Sequence, residues 1–261
     1  MAGGHFLSAL PVGAAPAGID LTPDGDTLVV AVPSQNRLLL FALPGGGTPA
    51  QIDLPAGGVL PQRPDNVRVL RNRRAFVTMT FSGSGFGGRV LEVNLDTRAI
   101  TPRMDTGVNG QVTERTPLAR SADGEWLLLL VDDNCCPEWT QTYSATINVF
   151  PPYVPTISYY APAIGTDSTG ARFLIGNRRY TSGLVLVDSL PVTDLGAAAL
   201  SMSGSIGWFR IAGGIQARSF GGGAPLYSVQ LSDPVRRMQT SPAGDRLAVL
   251  TSRELVLVVI R

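Results

Sequence analysis

The two cysteines of this 261-residue chain are adjacent, within the acidic segment Asp132-Asp133-Asn134-Cys135-Cys136-Pro137-Glu138-Trp139. In an oxidising compartment Cys135 and Cys136 can close a vicinal disulfide, a stiff apolar ring able to contact a ligand. The same pair can equally be reduced thiols without a redox role. Because His5 is the only histidine, the cysteines lack the partners needed for a tetrahedral zinc site.

The same segment carries candidate calcium ligands. Asp132, Asp133 and Glu138 offer hard carboxylate oxygens at short spacing, and Asn134 adds an amide oxygen. The spacing does not match an EF-hand loop. The alternative is a solvated acidic turn whose side chains bond their own backbone. We therefore expect no resident metal and no other cofactor, with calcium as the alternative.

A small basic and aromatic cluster occurs in Asn177-Arg178-Arg179-Tyr180. Its guanidinium groups can pair with a carboxylate ligand or with Asp132 and Asp133, and a solvated loop is the alternative. Trp139 can add an aromatic surface for a sugar or peptide. The predicted ligand-binding face therefore comprises Asp132, Asp133, Asn134, Cys135, Cys136, Glu138, Trp139, Arg178, Arg179 and Tyr180.

Composition and motifs exclude several classes of function. All 21 basic residues are arginine, which excludes lysine Schiff bases and a P-loop lysine. A net charge of +1 without a basic block predicts no nucleic-acid partner. No apolar stretch is long enough to predict membrane insertion. No nucleophile elbow or histidine-based triad is present, so a non-catalytic protein is favoured.

The elements that position these residues follow from an internal repeat. Ile19–Ala31 reads as a strand, a Pro-Asp-Gly turn and a second strand, and Met238–Leu250 repeats this pattern. Leu118–Leu130 is a degraded copy. Turn centres near Gly25, Asn72, Gly124, Gly170, Gly204 and Gly244 recur at roughly 35 to 50 residues, the length of one four-stranded propeller blade.

The repeat predicts an all-β chain forming a single β-propeller of six four-stranded blades. The predicted blades cover residues 17–60, 61–114, 115–158, 159–195, 196–232, and 233–261 together with 4–11. The last unit has three strands, and the strand His5–Leu10 would complete it and close the ring. Five blades with a long insertion between Leu190 and Pro234 are the alternative.

Blade topology sorts the loops onto two faces of a propeller. The Pro-Asp-Gly hairpins are short and share one face. The longer predicted loops share the other face: Phe81–Gly88, Asp132–Tyr143, Asn177–Ser182 and Ala212–Gly223. Because long loops on a rigid scaffold usually carry binding, we expect the ligand at this long-loop face and at the mouth of the central channel.

The sequence from Pro16 to Ala31, followed by Asn36-Arg-Leu-Leu-Leu-Phe41, resembles the YVTN-type surface β-propeller repeat of bacteria and archaea. In that pattern Pro-Asp-Gly separates two strands and Asn precedes the third. The resemblance implies an exported protein, extracellular, at the cell surface or periplasmic, as part of a longer exported protein.

The sequence as a whole predicts a binding or scaffold module with a protein or carbohydrate partner at the long-loop face. One alternative is a calcium-dependent sugar-lactone hydrolase, which shares only the architecture. The other is a structural subunit of a larger extracytoplasmic assembly, which exposed apolar patches beside the fifth blade would favour.

Overall fold

The computed structural model describes residues 10, 12, 15–43, 45, 47–56, 61–80, 87–105, 108–114, 116–131, 139–155, 163–194, 196–241 and 243–260. Its described part is all-β, with 23 strands and a single 3-10 turn at Pro33–Gln35. The strands form six small antiparallel sheets in chain order. Within the described residues, no helix is both long and apolar enough to cross a membrane.

The first three sheets each contain four strands. Sheet 1 comprises β1 (Gly18–Leu21), β2 (Thr27–Val32), β3 (Arg37–Ala42) and β4 (Ala50–Asp53). Sheet 2 comprises β5 (Arg63–Val69), β6 (Arg74–Thr80), β7 (Arg89–Asn94) and β8 (Ile100–Pro102). Sheet 3 comprises β9 (Leu118–Arg120), β10 (Trp126–Val131), β11 (Trp139–Ser144) and β12 (Val154–Pro155).

The last three sheets contain four, four and three strands. Sheet 4 comprises β13 (Ile164–Thr166), β14 (Arg172–Ile175), β15 (Arg178–Thr181) and β16 (Leu186–Ser189). Sheet 5 comprises β17 (Ala198–Leu200), β18 (Ile206–Ile211), β19 (Gly214–Ser219) and β20 (Pro225–Gln230). Sheet 6 comprises β21 (Val235–Thr240), β22 (Arg246–Thr251) and β23 (Leu255–Val259).

A turn with one left-handed residue joins the first and second strands of every sheet. The left-handed residues are Gly25, Arg73, Gly124, Gly170, Gly204 and Gly244, with φ between 56° and 74°. Glycine adopts this conformation without steric cost, which explains its use in five of the six turns. The predicted turn centres are thereby confirmed, including the one at Asn72, which lacks glycine.

Apolar side chains pack each sheet against the next. Five hydrophobic clusters join sheets 1 and 2, 2 and 3, 3 and 4, 4 and 5, and 5 and 6. The second of them stacks Phe76, Tyr143 and Phe150 with ring centroids 4.5 to 6.0 Å apart. Each fully buried side chain of this size contributes about 1.5–3 kcal/mol, so these interfaces hold the sheets together.

Sheets 1 and 6 lie at the two ends of this series of sheets, and each has one face that points away from the others. These two faces differ in how far their apolar side chains are covered. On sheet 1, Leu10 and Val12 pack against the cluster that contains Val30 and Phe41. On sheet 6, Leu255, Leu257 and Val259 are 63%, 55% and 64% exposed. Among the described residues no hydrophobic cluster joins sheet 6 to sheet 1. Most of the predicted closing strand, His5–Ala9, lies outside the described residues.

Three predicted loops contain strand residues. In Asp132–Tyr143, the described residues from Trp139 to Tyr143 belong to β11. Asn177–Ser182 is mostly the strand β15, because Gly176 and Asn177 make a tight hairpin with Ile175 paired to Arg178. Ala212–Gly223 contains the strand β19, entered through a hairpin in which Gly213 has φ of 76°.

The fifth unit is also more regular than its sequence indicates. The stretch between Leu190 and Pro234 contains a four-stranded sheet like those of the earlier units. The predicted strand pairs within Ile19–Ala31 and Met238–Leu250 are confirmed as β1 with β2 and β21 with β22.

Candidate functional site

One channel of about 1110 Å³ is lined by the first strands of all six sheets. These strands are β1, β5, β9, β13, β17 and β21, and each contacts the next in the series from sheet 1 to sheet 6. Residues of β22 and β23 also reach the lining, through Leu250 and Leu255. The channel therefore brings together side chains that are far apart in sequence.

The inner strands align when they are counted from the left-handed turn residues. Five residues before each of these lie Asp20, Arg68, Ala119, Gly165, Ala199 and Gln239. Contacts between strands support this alignment. A Cβ on Gly165 would lie 3.2 Å from the Leu200 nitrogen, and one on Gly18 would lie 2.9 Å from Cα of Asn66. Each position of the repeat therefore forms one layer of the channel wall.

The polar part of the wall comes from sheets 1, 2 and 3. The Nε atom of Arg120 donates to Oδ2 of Asp20 at 2.7 Å, and Nη2 donates to the Leu21 carbonyl. Arg68 donates to the backbone carbonyls of Ile19 and Val67. Burial lowers the pKa of Arg68; Asp20 opposes this, and the nearby positive charge of Arg120 adds to it.

A second charged group lies towards the N-terminal ends of the inner strands, opposite the glycine turns. It consists of Asp65, Glu114 and Arg237. Burial raises the pKa of Asp65, Arg237 opposes this rise, and the negative charge of Glu114 adds to it. The Asn66 amide donates to Oδ2 of Asp65 at 2.8 Å and holds the carboxylate in place.

The opposite wall of the channel is formed by small residues of sheets 3, 4 and 5. Its members are Ala119, Ala163, Gly165, Ala197, Ala198 and Ala199. These small side chains leave space beside the charged residues, and Ser121 and Thr166 add hydroxyl groups to the same part of the lining. The channel lining thus combines charged and apolar residues, which is the usual composition of a small-molecule site.

The sequence-predicted site residues Asp132, Asp133, Asn134, Cys135, Cys136 and Glu138 lie outside the described residues. Their disulfide and calcium roles stay predictions. Within the described part of the chain, no group of three or more His, Cys, Asp and Glu residues is placed to hold a metal ion.

The basic cluster lies in a strand and away from the channel lining. Arg179 pairs with Asp188 through two bonds of 3.0 and 2.6 Å and also stacks over Phe220. Tyr180 is buried in the cluster between sheets 3 and 4. Arg178 pairs in register with Ser189 at the hairpin end of β15. The contacts of Arg179 and Tyr180 join neighbouring strands and sheets.

The aromatic residues separate into a buried and a surface group. Tyr143 is fully buried and donates to Oδ1 of Asn148 at 2.7 Å. Burial raises the pKa of Tyr143 to about 12. Trp139 stacks against Tyr153 at 5.6 Å, and Tyr153 is 46% exposed. A two-ring surface therefore adjoins the predicted cysteine loop.

Sequence reasoning missed the charged residues of the channel. Arg68, Arg120 and Arg237 lie inside short alternating strands, where a polar residue indicates a solvent-facing position. The alignment of the inner strands was a partial signal. It puts Arg68 level with Asp20 and Gln239. In contrast, Arg120 lies one residue after that level and Arg237 two residues before it.

Comparison with known proteins supports the fold alone. No family model and no curated protein matches the sequence. A solved structure of Kuenenia stuttgartiensis hydrazine synthase is similar over 94% of this chain and 83% of its own chain, with a TM-score of 0.68 and 12% identity. Matching solved chains number 1386, so the fold is too common to indicate an activity. The protein therefore has a propeller-like all-β fold.

Proposed function

We propose that this chain is a non-catalytic, secreted or cell-surface binding and scaffold module whose ligand site is the channel. The single observation that carries the proposal is that inner strands of all six sheets line one cavity with charged and apolar residues. Among the described residues, the lining contains two carboxylates, Asp65 and Glu114, and neither histidine nor cysteine. This set supplies charge for recognition rather than a nucleophile with a general base.

The proposal includes a six-bladed ring whose last blade is completed by residues 4–11. Two observations support it. Sheet 6 has three strands, and Leu10 lies on the neighbouring face of sheet 1. A paired fourth strand would protect the outward amides of β23 from hydrogen exchange, and deleting residues 4–11 should remove that protection. Fast exchange at these amides in the intact chain would contradict closure by this strand.

Export is supported by the resemblance to YVTN-type surface repeats and by the adjacent cysteines. In an oxidising compartment Cys135 and Cys136 should be bridged, and intact-mass analysis without reductant should find the protein two hydrogens lighter. A full thiol titre on protein isolated from its native host would contradict the predicted location.

The channel site is tested by blocking it. Gln239 lines the channel and is exposed, so Gln239→Trp fills the cavity without displacing buried side chains. Gln230→Trp is the matched control, on the exposed outer strand β20. We expect sugars, short peptides and organic acids, screened by thermal shift, to include ligands that the control binds and Gln239→Trp does not. Equal binding by both variants would contradict the channel site.

The lactone-hydrolase alternative predicts a different result for the same protein. It needs calcium ringed by carboxylates from several sheets, whereas the channel mouth offers Asp65 and Glu114 with Arg237 beside them. Calcium-dependent hydrolysis of gluconolactone would favour that alternative over the binding module.

A second candidate function, a subunit of a larger extracytoplasmic assembly, is favoured by the exposed apolar residues of sheets 5 and 6. Leu226, Tyr227, Leu255 and Leu257 are between 39% and 63% exposed. Exposed apolar side chains of this kind are typical of association surfaces. Sedimentation analysis should then show self-association that Leu257→Glu abolishes, whereas a monomer at every concentration would disfavour assembly from copies of this chain.

A further inference from the structure

The channel contains more positive charge than its own carboxylates balance. Five arginines line it: Arg68, Arg120, Arg210, Arg236 and Arg237. Two of these have dedicated carboxylate partners. Arg120 binds Asp20 at 2.7 Å, and Arg210 binds Asp194 through two bonds of 2.7 Å.

The remaining three arginines face two carboxylates, Asp65 and Glu114. Arg68 donates only to backbone carbonyls. Within the described part of the chain, Arg236 and Arg237 have no ion-pair partner closer than 4 Å. Counted over the described residues, the lining therefore has an excess of one positive charge and at least one guanidinium whose donors are free.

The positive charges also lie close to one another. Burial lowers the pKa of Arg68, and the positive charges of Arg120 and Arg237 lower it further. Like charges in a partly desolvated site raise the free energy of the empty channel. An anion placed between Arg68 and Arg237 would relieve this repulsion and accept hydrogen bonds from both planar groups.

The opposite wall determines the rest of the ligand. Ala119, Ala163, Ala197 and Ala199 line it, and Met238 and Leu250 extend it towards sheet 6. The alanines are mostly buried between the sheets, but Leu250 and Leu255 are 44% and 63% exposed and give a hydrocarbon body a surface to pack against.

We infer that the channel binds a monocarboxylate with an apolar body, its carboxylate held by Arg68 and Arg237 and its hydrocarbon lying against the exposed leucines of the lining, Leu250 and Leu255. This inference rests on the proposed function of the channel and adds the class of ligand. The excess of one charge fits a carboxylate better than a doubly charged phosphate, which would also face repulsion from Asp65 and Glu114.

The test is a calorimetric titration of the full chain at neutral pH with sodium octanoate. Octylammonium and octyl glucoside serve as cationic and neutral probes of the same tail. We expect octanoate to bind, and Arg237→Gln to weaken it roughly tenfold or more, because one charge-assisted contact is lost. Arg246→Gln, an exposed arginine outside the channel lining, is the matched control and should leave the affinity unchanged.

Arg68 also joins sheets 1 and 2, so Arg68→Gln carries a folding risk that Arg237→Gln avoids. Higher salt should weaken octanoate binding to the wild type, since screening reduces its attraction to the arginines. Octanoate binding that is indifferent to Arg237→Gln would overturn the inference.

The outcome also separates this inference from the proposed function. Binding of octyl glucoside or octylammonium without octanoate, abolished by Gln239→Trp, would overturn the anion while supporting the channel as a site. Binding of none of the three probes overturns the monocarboxylate, and the wider ligand screen then decides the proposed function separately.

Discussion

Oδ2 of Asp20 accepts hydrogen bonds from Nε of Arg120 at 2.7 Å and from the Val69 backbone at 2.8 Å. One carboxylate oxygen thereby connects the inner strands of sheets 1, 2 and 3. Both side chains of the pair are at most 15% exposed, so the ion pair lies where water screens it poorly. This contact holds the inner strands of sheets 1, 2 and 3 together beside Arg68.

Replacing Arg120 should therefore destabilise the fold. In Arg120→Met the carboxylate of Asp20 loses its charged partner while staying mostly buried, and we expect a loss of about 2 kcal/mol or more in the free energy of unfolding. Arg246→Met removes an exposed pair and should cost less than about 1 kcal/mol. Urea denaturation measures both. Equal effects of the two substitutions would show that the Asp20 pair has no special role.

Replacing the turn glycines by alanine should destabilise the fold to different extents at different turns. At Gly25 a Cβ would meet nothing within 4 Å, so Gly25→Ala carries only the strain of a left-handed residue, about 1 kcal/mol. At Gly124 a Cβ would lie 2.7 Å from the Arg71 nitrogen, where the turns of sheets 2 and 3 touch. Gly124→Ala should therefore cost clearly more in the same urea assay, and a smaller loss than for Gly25→Ala would contradict the packing of these turns.

Asp105 gives a prediction for acid stability. Burial opposes ionisation, but two bonds from Arg103 and one from the Phe150 amide hold the pKa of Asp105 below its usual value. A carboxyl with a lowered pKa in the folded state stabilises the protein above its ordinary pKa, and this contribution disappears as pH falls through the lowered value.

We therefore expect wild-type stability to decline between roughly pH 4 and pH 2 more steeply than that of Asp105→Asn. Denaturant midpoints measured across this range give the comparison. The exposed variant Asp245→Asn is the control and should follow the wild type. Parallel curves for the wild type and Asp105→Asn would show that Asp105 does not contribute to the acid sensitivity.

The pH dependence of ligand binding should follow from Asp65, a carboxyl whose pKa is raised rather than lowered. Burial raises the pKa of Asp65, Glu114 adds to the rise, and Arg237 and the Asn66 amide oppose it. Protonating Asp65 as pH falls through this raised pKa removes a negative charge beside the proposed anion. Affinity for octanesulfonate, which stays ionised throughout, should therefore increase as pH falls.

Asp65→Asn should bind octanesulfonate tightly at every pH and reduce the slope of affinity against pH. Calorimetric titrations at several pH values measure this for both proteins. An affinity that is independent of pH in the wild type, or a slope that Asp65→Asn leaves unchanged, would contradict the placement of the anion near Asp65.

Local sequence patterns were sufficient to predict most of the strands and the turns between them. Pro-Asp-Gly and its relatives encode a tight turn by themselves, so the strands on either side of it, β1 with β2 and β21 with β22, could be placed. The loops predicted at Asn177–Ser182 and Ala212–Gly223 failed because glycine-rich hairpins were read as loops. The sequence around Arg68 or Arg237 does not mark either residue as part of a site. They come together only because six sheets are arranged around the channel.

The most direct test of the channel site is a crystal structure of the protein with 8-bromooctanoate, located by the anomalous scattering of bromine. We expect bromine inside the channel near Leu250 and Leu255, with the carboxylate between Arg68 and Arg237. Bromine at the Trp139 and Tyr153 surface instead, with the channel filled by water, would contradict this expectation.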